Sequence, residues 1–348
     1  MAEAWDVECD VLPGMEAILA RELGRCFRGR VGQLADTGRA SLRFAFLGSL
    51  SELLGLRTAH AAYLALAFSG RRPTALLGHQ NLRALLERIQ VIRDLHPPGM
   101  VCTFRFGAAG RDTSTFRRLA EDLESQSGLR HDPDDGELLI RIRPSGRPDD
   151  GWEALLRLSP RPLSTRAWRV ANYPGALNAT IAAAMIDLTQ PRPDDHFVNL
   201  MCGSGTLLVE RLLLCRTAEA LGVDISGEAL SAARANLAAA GLGPRAARLM
   251  ESDAVLTGLD MARYTVLCAD LPYGNLVGSH RENSVLYPML LDEAGRMAAP
   301  GARFAVITHE IRLFDASLED AKNLWQAERT FRVFQGGQRP QVYLLRRR

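Results

Sequence analysis

Lysine is almost missing from this 348-residue chain: of 42 basic side chains one is lysine, Lys322, far from any glycine cluster. That excludes the Gly-Lys-Ser/Thr loop with which ATP- and GTP-binding folds cradle phosphates. Cysteine is scarce too. The six thiols, at positions 9, 26, 102, 202, 215 and 268, form no C-x-x-C pair and sit beside no clustered histidine, which argues against a disulfide framework and a zinc site. No apolar run is long enough to span a membrane, and the opening MAEAWDVECD is acidic where a secretory signal needs a basic and then an apolar segment. The expectation is a soluble cytoplasmic protein with reduced thiols, no metal and no membrane partner. A net charge of +2 is too small for bulk charge to identify a nucleic-acid partner.

What is present is 47% hydrophobic and 24% charged residues, the balance of a folded globular protein, in a chain long enough for two or three domains. Arginines bunch between Arg141 and Arg169. Genome composition accounts for arginine abundance in general, less readily for that concentration.

In the N-terminal half, Trp5 to Asp10 and Ala40 to Phe46 alternate as strands around a helix opened by Pro13-Gly14. Residues 50 to 68 read as a strongly apolar helix, and Leu82 to Leu95 as a second, stopped by His96-Pro97-Pro98-Gly99. Val101 to Phe106, Glu137 to Arg143 and Trp152 to Leu158 read as strands, with a helix capped at Ser114 or Thr115. No acid–base pair, metal cluster or phosphate loop appears there, so the half reads as a binding module. Residues 159–175, rich in proline and arginine and without periodicity, read as a basic linker.

From His196 onward strands and helices alternate as in a doubly wound α/β domain. Phe197 to Glu210, FVNLMCGSGTLLVE, is an apolar strand that breaks at Cys202-Gly203-Ser204-Gly205-Thr206 and re-enters as a helix. Such a turn presents free N–H groups and a positive helix end at the carboxyl edge of a sheet. A dinucleotide loop would need a third glycine, absent here. The large class left with this layout is the S-adenosylmethionine (SAM) methyltransferase. Asp224, followed by Ile225, ends the second strand, where a carboxylate can accept ribose hydroxyls or cap the next helix. Asp253 ends the third strand, placed for an adenine amino group with Ala254 as backbone partner.

The fourth strand ends in Asp270-Leu271-Pro272-Tyr273, which resembles the (Asp/Asn)-Pro-Pro-(Tyr/Phe) motif of methyltransferases acting on exocyclic or amide nitrogens. Asp270 and the Leu271 carbonyl can each accept one N–H of an amine, Pro272 fixes the turn, and Tyr273 offers a face for an extruded base. Cys202 and Cys268 lie outside the Pro-Cys loop of thiolate chemistry and read as core thiols. His309-Glu310 reads as a base-pocket lining or a helix start, and Arg281 as part of a loop beyond the turn.

TFRFGAAGRDTSTFRRLAEDL, GELLIRIRPSG and LLRLSPRPLSTRAWR resemble in order the THUMP domain of RNA-modifying enzymes, preceded by a small ferredoxin-like companion. With PGALNATIAAAM and FRVFQGGQRPQVYLLRR, the whole chain resembles the THUMP-containing tRNA guanine-N2 methyltransferases of the TrmN type. The resemblance implies a ferredoxin-like domain over 1–55, THUMP over 56–158, a linker over 159–175 and a class I (Rossmann-like) methyltransferase domain over 176–348. It implies SAM as cofactor and, as substrate, guanosine 6 in the tRNA acceptor stem, gripped near its CCA end by a monomeric enzyme. Arg105, Arg111 and Arg117 then become candidate phosphate contacts, with Arg166 and Arg169 of the basic linker beside them. Two departures stand out: Asn199 replaces a common acidic residue before the glycine turn, and Leu271 replaces the first proline. The motif fits guanine and adenine amines alike, so ribosomal RNA guanine and nucleic-acid adenine N6 remain alternatives, as does a noncatalytic RNA-binding protein with a degenerate pocket.

Overall fold

The alternating segments of the N-terminal half become strands of one sheet. The computed structural model describes residues 4–70, 72–145, 151–272, 279–334 and 337–348. The chain divides into two units, Met1–Ser164 and Thr165–Arg348. The first contains β1 (Trp5–Asp10), α1 (Glu16–Cys26), β2 (Ala35–Asp36), β3 (Ser41–Phe46), α2 (Leu50–Leu53), β4 (Ala61–Ser69), a 3-10 turn (Pro73–Leu77) and α3 (His79–Arg93). It continues with β5 (Thr103–Gly107), α4 (Ser114–Ser127), β6 (Arg130–His131), β7 (Leu138–Pro144) and β8 (Gly151–Arg157). All eight strands join in the order β2-β3-β1-β4-β8-β7-β5-β6. Helices α1, α3 and α4 bury one apolar stripe each, such as Leu82, Leu85, Ile89 and Ile92 of α3.

The helix expected over 50–68 is a correction. Only Leu50–Leu53 is helical, and Ala61–Ser69 is a strand between β1 and β8. A central strand with both faces covered carries a continuous apolar run in place of alternation, and AAYLALAF is such a run. Tyr63 and Ala65 pack with Leu155 on one face of it. Charge is also folded in. Arg143 donates to Glu8 and Glu153 at 2.7 Å each, and Arg43 joins the same two carboxylates at 3.1 Å, so Glu8 is fully buried yet paired.

The second unit contains α5 (Ala179–Leu188), β9 (His196–Leu200), α6 (Thr206–Leu214), β10 (Glu219–Asp224), α7 (Gly227–Ala239) and β11 (Arg248–Glu251). Then follow β12 (Tyr264–Asp270), α8 (His280–Met297), β13 (Ala298–Thr308), α9 (Ile311–Asp320), β14 (Trp325–Arg332) and β15 (Gln341–Arg347). The order is β11-β10-β9-β12-β13-β15-β14, with β15 antiparallel to both neighbours. This is the doubly wound sheet expected, with the antiparallel pair of β14 and β15 at one edge. Arg281, read as part of a loop, lies instead in the first turn of α8, and Ile311 opens α9 directly after His309-Glu310. Among the described residues no helix is long and apolar enough to cross a membrane.

The register of this sheet positions the site. β9 and β12 lie side by side, with Leu200 opposite Ala269, at the point where the strand order reverses. Open α/β sheets bind ligands in the crevice at such a reversal. The glycine turn after Leu200 and the carboxylate of Asp270 therefore leave neighbouring strands at the same edge.

Candidate active site

Backbone geometry explains the glycines of the turn. Gly203 and Gly205 have φ of 52° and 81°, in the left-handed region that side chains disfavour. A Cβ on Gly205 would also come within 3.1 Å of the Ala233 Cβ on α7, whereas one on Gly203 would meet nothing within 4 Å. Gly205 serves close helix packing, and Gly203 borders open space.

That space is a cavity of about 210 Å³. Its walls include Asn199, Cys202, Gly203, Ser204 and Thr206 from the glycine turn. Asp224 and Ile225 at the end of β10 and Asp270, Leu271 and Pro272 at the end of β12 line it as well. Sequence reasoning thus named most of one cavity. Gly205 stands behind it. Asp253 is exposed, accepting the Val255 N–H at 3.1 Å, and neither it nor the buried Ala254 lines the cavity. Tyr273 lies outside the described residues.

Asp224 shapes the turn as well as bordering the cavity. Its Oδ2 accepts the Gly203 N–H at 2.7 Å and its Oδ1 the Ser226 N–H at 3.0 Å. Asn199 is buried and donates through Nδ2 to the carbonyls of Leu200 and Cys268, both at 3.2 Å, which leaves its Oδ1 without a partner. The Ser204 hydroxyl is buried and unpartnered too. Unmet polar atoms in a cavity wall are costly until a ligand satisfies them. Beside them Ile225, 71% exposed, offers an apolar face.

Asp270 has neither hydrogen-bond partner nor cation among the described residues, and burial pushes its carboxyl up to about 7. The turn that carries it is held from behind. The Pro272 carbonyl accepts the Tyr287 hydroxyl at 2.8 Å and the Asn283 Nδ2 at 3.0 Å, while the same hydroxyl lies 2.9 Å from the Thr308 hydroxyl. Burial raises the thiols of Cys202 and Cys268, the latter to about 12, so neither is a ready nucleophile.

A second cavity, of about 500 Å³, also borders Asp270. Tyr173, Gly175, Ala176 and Leu177 wall both cavities, and Arg169, Asn178 and His309 face the second. Sequence reasoning missed this wall because NYPGAL has no periodicity. Its signals were the Pro174-Gly175 turn and the family resemblance of the segment PGALNATIAAAM. His309 lines the second cavity, and burial lowers its pKa, favouring the neutral imidazole.

The arginines divide. Arg111 and Arg117 are exposed, and Arg105, on β5, is half-buried with its Nε donating to the Gly136 carbonyl at 3.2 Å. Arg166 and Arg169, read as RNA contacts of a basic linker, have partners within the second unit. Arg166 forms a 2.9 Å ion pair with the fully buried Glu210, and Arg169 donates to the Leu177 carbonyl at 2.7 Å and the Thr206 hydroxyl at 3.0 Å. Sequence shows a guanidinium's charge, not the side to which its long stem turns.

The model of the RMKL-like methyltransferase domain family, UPF0020, matches residues 166–341. The chain belongs to this family. The match starts at Arg166, within the segment 159–175. Over nearly full length the chain is similar to a Thermus thermophilus protein named tRNA (guanine(6)-N2)-methyltransferase, with 28% identity covering 97% of this chain and 98% of that one. A Bos taurus tRNA (guanine(6)-N(2))-methyltransferase THUMP3 shares 28% identity over 50% of this chain and 37% of its own. The crystal structure of TrmN from Thermus thermophilus superposes with a TM-score of 0.73 and 25% identity, covering 99% of each chain. The fold of SMU.472, solved with SAH, matches at 0.69 with 15% identity, covering 99% of this chain and 98% of that one.

A class I methyltransferase domain draws its methyl group from SAM, and the first cavity fits that molecule. The orphaned Asn199 Oδ1 can accept from an ammonium group, Asp224 retains lone pairs for hydroxyls, and Ile225 gives a base an apolar face. An amide in place of a carboxylate at position 199 keeps the acceptor and gives up the charge.

Proposed function

We propose that this chain is a SAM-dependent tRNA guanine-N2 methyltransferase. The observation that carries the reading is the position of Asp270, a single desolvated carboxyl bordering both the cavity of the glycine turn and the polar cavity beyond Tyr173. Whole-length similarity to the Thermus thermophilus protein supports guanine as the base and tRNA as its carrier.

SAM, when bound, supplies a methyl group on a positively charged sulfur. The chain's own task is to present a nitrogen. A purine's exocyclic amine is a weak nucleophile because its lone pair is shared with the ring. One oxygen of Asp270 and the Leu271 carbonyl each accept an N–H, fixing the amine with its lone pair toward the first cavity. A carboxyl raised to about 7 is basic enough to receive the amine proton as the carbon–nitrogen bond forms. Pro272 stiffens the turn, and Tyr273 gives the extruded base a surface to stack on.

The finer reading places the methyl group on guanosine 6 of the acceptor stem. A THUMP module over 56–158, behind a ferredoxin-like segment over 1–55, grips the CCA end of a cytoplasmic tRNA for a monomeric enzyme, and the methyltransferase domain follows a joining stretch over 159–175. Similarity along the full length of the Thermus thermophilus relative supports it.

Incubation of tRNA with the protein and labelled SAM, followed by nucleoside analysis, tests base and atom together. N2-methylguanosine is expected. Label in N6-methyladenosine overturns the guanine reading, and a protein that binds no SAM in calorimetry at high micromolar concentration is a scaffold, not an enzyme.

A further inference from the structure

The catalytic turn alone does not select a base. A carboxylate and a carbonyl ask only for two N–H groups, which the amines of guanine and adenine supply equally well. Selection has to come from groups facing the rest of the ring, in the cavity that Asp270 shares with Arg169.

Arg169 is held for such a task. Its Nη2 spends both hydrogens on the Leu177 carbonyl and the Thr206 hydroxyl. Those tethers come from the loop before α5 and from the start of α6, so the guanidinium plane is fixed. The guanidinium also lies over the Trp168 ring, 5.5 Å from its centroid, and Nε and Nη1 have no hydrogen-bond partner among the described residues, which leaves three N–H groups of a rigid fork at the cavity wall.

From this placement we infer that Arg169 selects guanine by donating hydrogen bonds to the O6 and N7 edge of the base whose N2 is held by Asp270. The inference rests on the methyltransferase reading above. A guanine gripped by its N2 presents two acceptors, O6 and N7, on the far side of its ring, and a guanidinium fork matches that pair. An adenine gripped by its N6 turns a single acceptor, N3, to that side, and a guanidinium fork covered by the base with one arm unmet is penalised. Sites built around a buried polar group reject analogues that lack its partner far better than apolar pockets reject a missing methylene.

The test uses tRNA carrying either guanosine or 2-aminopurine riboside at the methylated nucleotide. 2-Aminopurine keeps the exocyclic amine and N7 but lacks O6. Wild-type protein, Arg169→Gln and Arg169→Lys are compared by the ratio of kcat/KM for the two substrates, in which loss of folded protein cancels. The expected result is a guanosine preference that falls by about 10- to 100-fold in Arg169→Gln, the worth of a charge-assisted hydrogen bond, with Arg169→Lys in between. A ratio unchanged in both variants overturns the inference, whether tRNA binding weakens, as a phosphate contact would require, or SAM binding weakens, as a purely structural role would require. Should Arg169→Gln not fold, the ratio in Arg169→Lys decides. Failure of wild-type protein to methylate guanosine at all overturns the methyltransferase reading itself, and the inference with it.

Discussion

At the scale of single residues, Asp270 is held in a form its surroundings disfavour. Burial pushes its carboxyl from the ordinary 3.8 up to about 7, with no cation beside it among the described residues. A raised acid pKa costs stability as pH rises from the unfolded value through the folded one. Three units correspond to a ceiling of about 4 kcal/mol, and local relaxation will return part of it. Asp270→Asn removes the charge and keeps the shape. Thermal unfolding at pH 8 should therefore show the variant more stable than wild type by about 1–3 kcal/mol, with the gain vanishing near pH 4, where wild-type Asp270 is protonated. Methyl transfer should move the opposite way. The rate should fall by about 10²- to 10⁴-fold, and the limb of the pH profile rising through about 7 in the wild type should disappear. A variant less stable at pH 8 would mean the carboxylate has a partner.

At the scale of elements, α8 serves the site without lining it. Tyr287 is fully buried and its hydroxyl bridges the Pro272 carbonyl and the Thr308 hydroxyl, tying the end of β12 to the end of β13. Tyr287→Phe keeps the packing and loses the tie. A net hydrogen bond is worth about 1 kcal/mol, so stability should drop by about that much. If the tie also sets the aim of Asp270 and Leu271, kcat should fall by at least about tenfold while SAM affinity stays within about twofold. A kcat that tracks only the fraction folded would reduce Tyr287 to a stabilising residue. Such ties were not legible in the sequence. Legible were the breaks in periodicity at Cys202–Gly205 and the carboxylates at strand ends, because a strand that stops at a sheet edge must expose whatever follows it. Less legible were segments where periodicity misleads. β4 looks helical because it is buried on both faces, and Asn172–Leu177 looks like linker because a cavity wall requires shape and not a repeat.

At the scale of the whole molecule, the arginines should separate by function once charge is weighed against burial. Exposed Arg117, and exposed Arg111 with its one long hydrogen bond of 3.4 Å to the Pro133 carbonyl, can meet a polyanion at little internal cost, whereas Arg166 cannot, since Glu210 behind it is fully buried. Each phosphate neutralised adds about 0.7–0.9 to the slope of log affinity against log salt. Replacing Arg111 and Arg117 together by alanine should weaken tRNA binding and flatten that slope by about 1.5, while melting temperature and SAM affinity hold. Arg166→Ala should instead strand the Glu210 charge and destabilise the fold by about 3–5 kcal/mol, visible as a lower melting temperature before any tRNA is added. If the double replacement leaves the slope intact, the RNA runs over another face of the first unit. If Arg166→Ala flattens the slope without lowering the melting temperature, the Glu210 pair opens in solution and the basic joining stretch touches the phosphates after all.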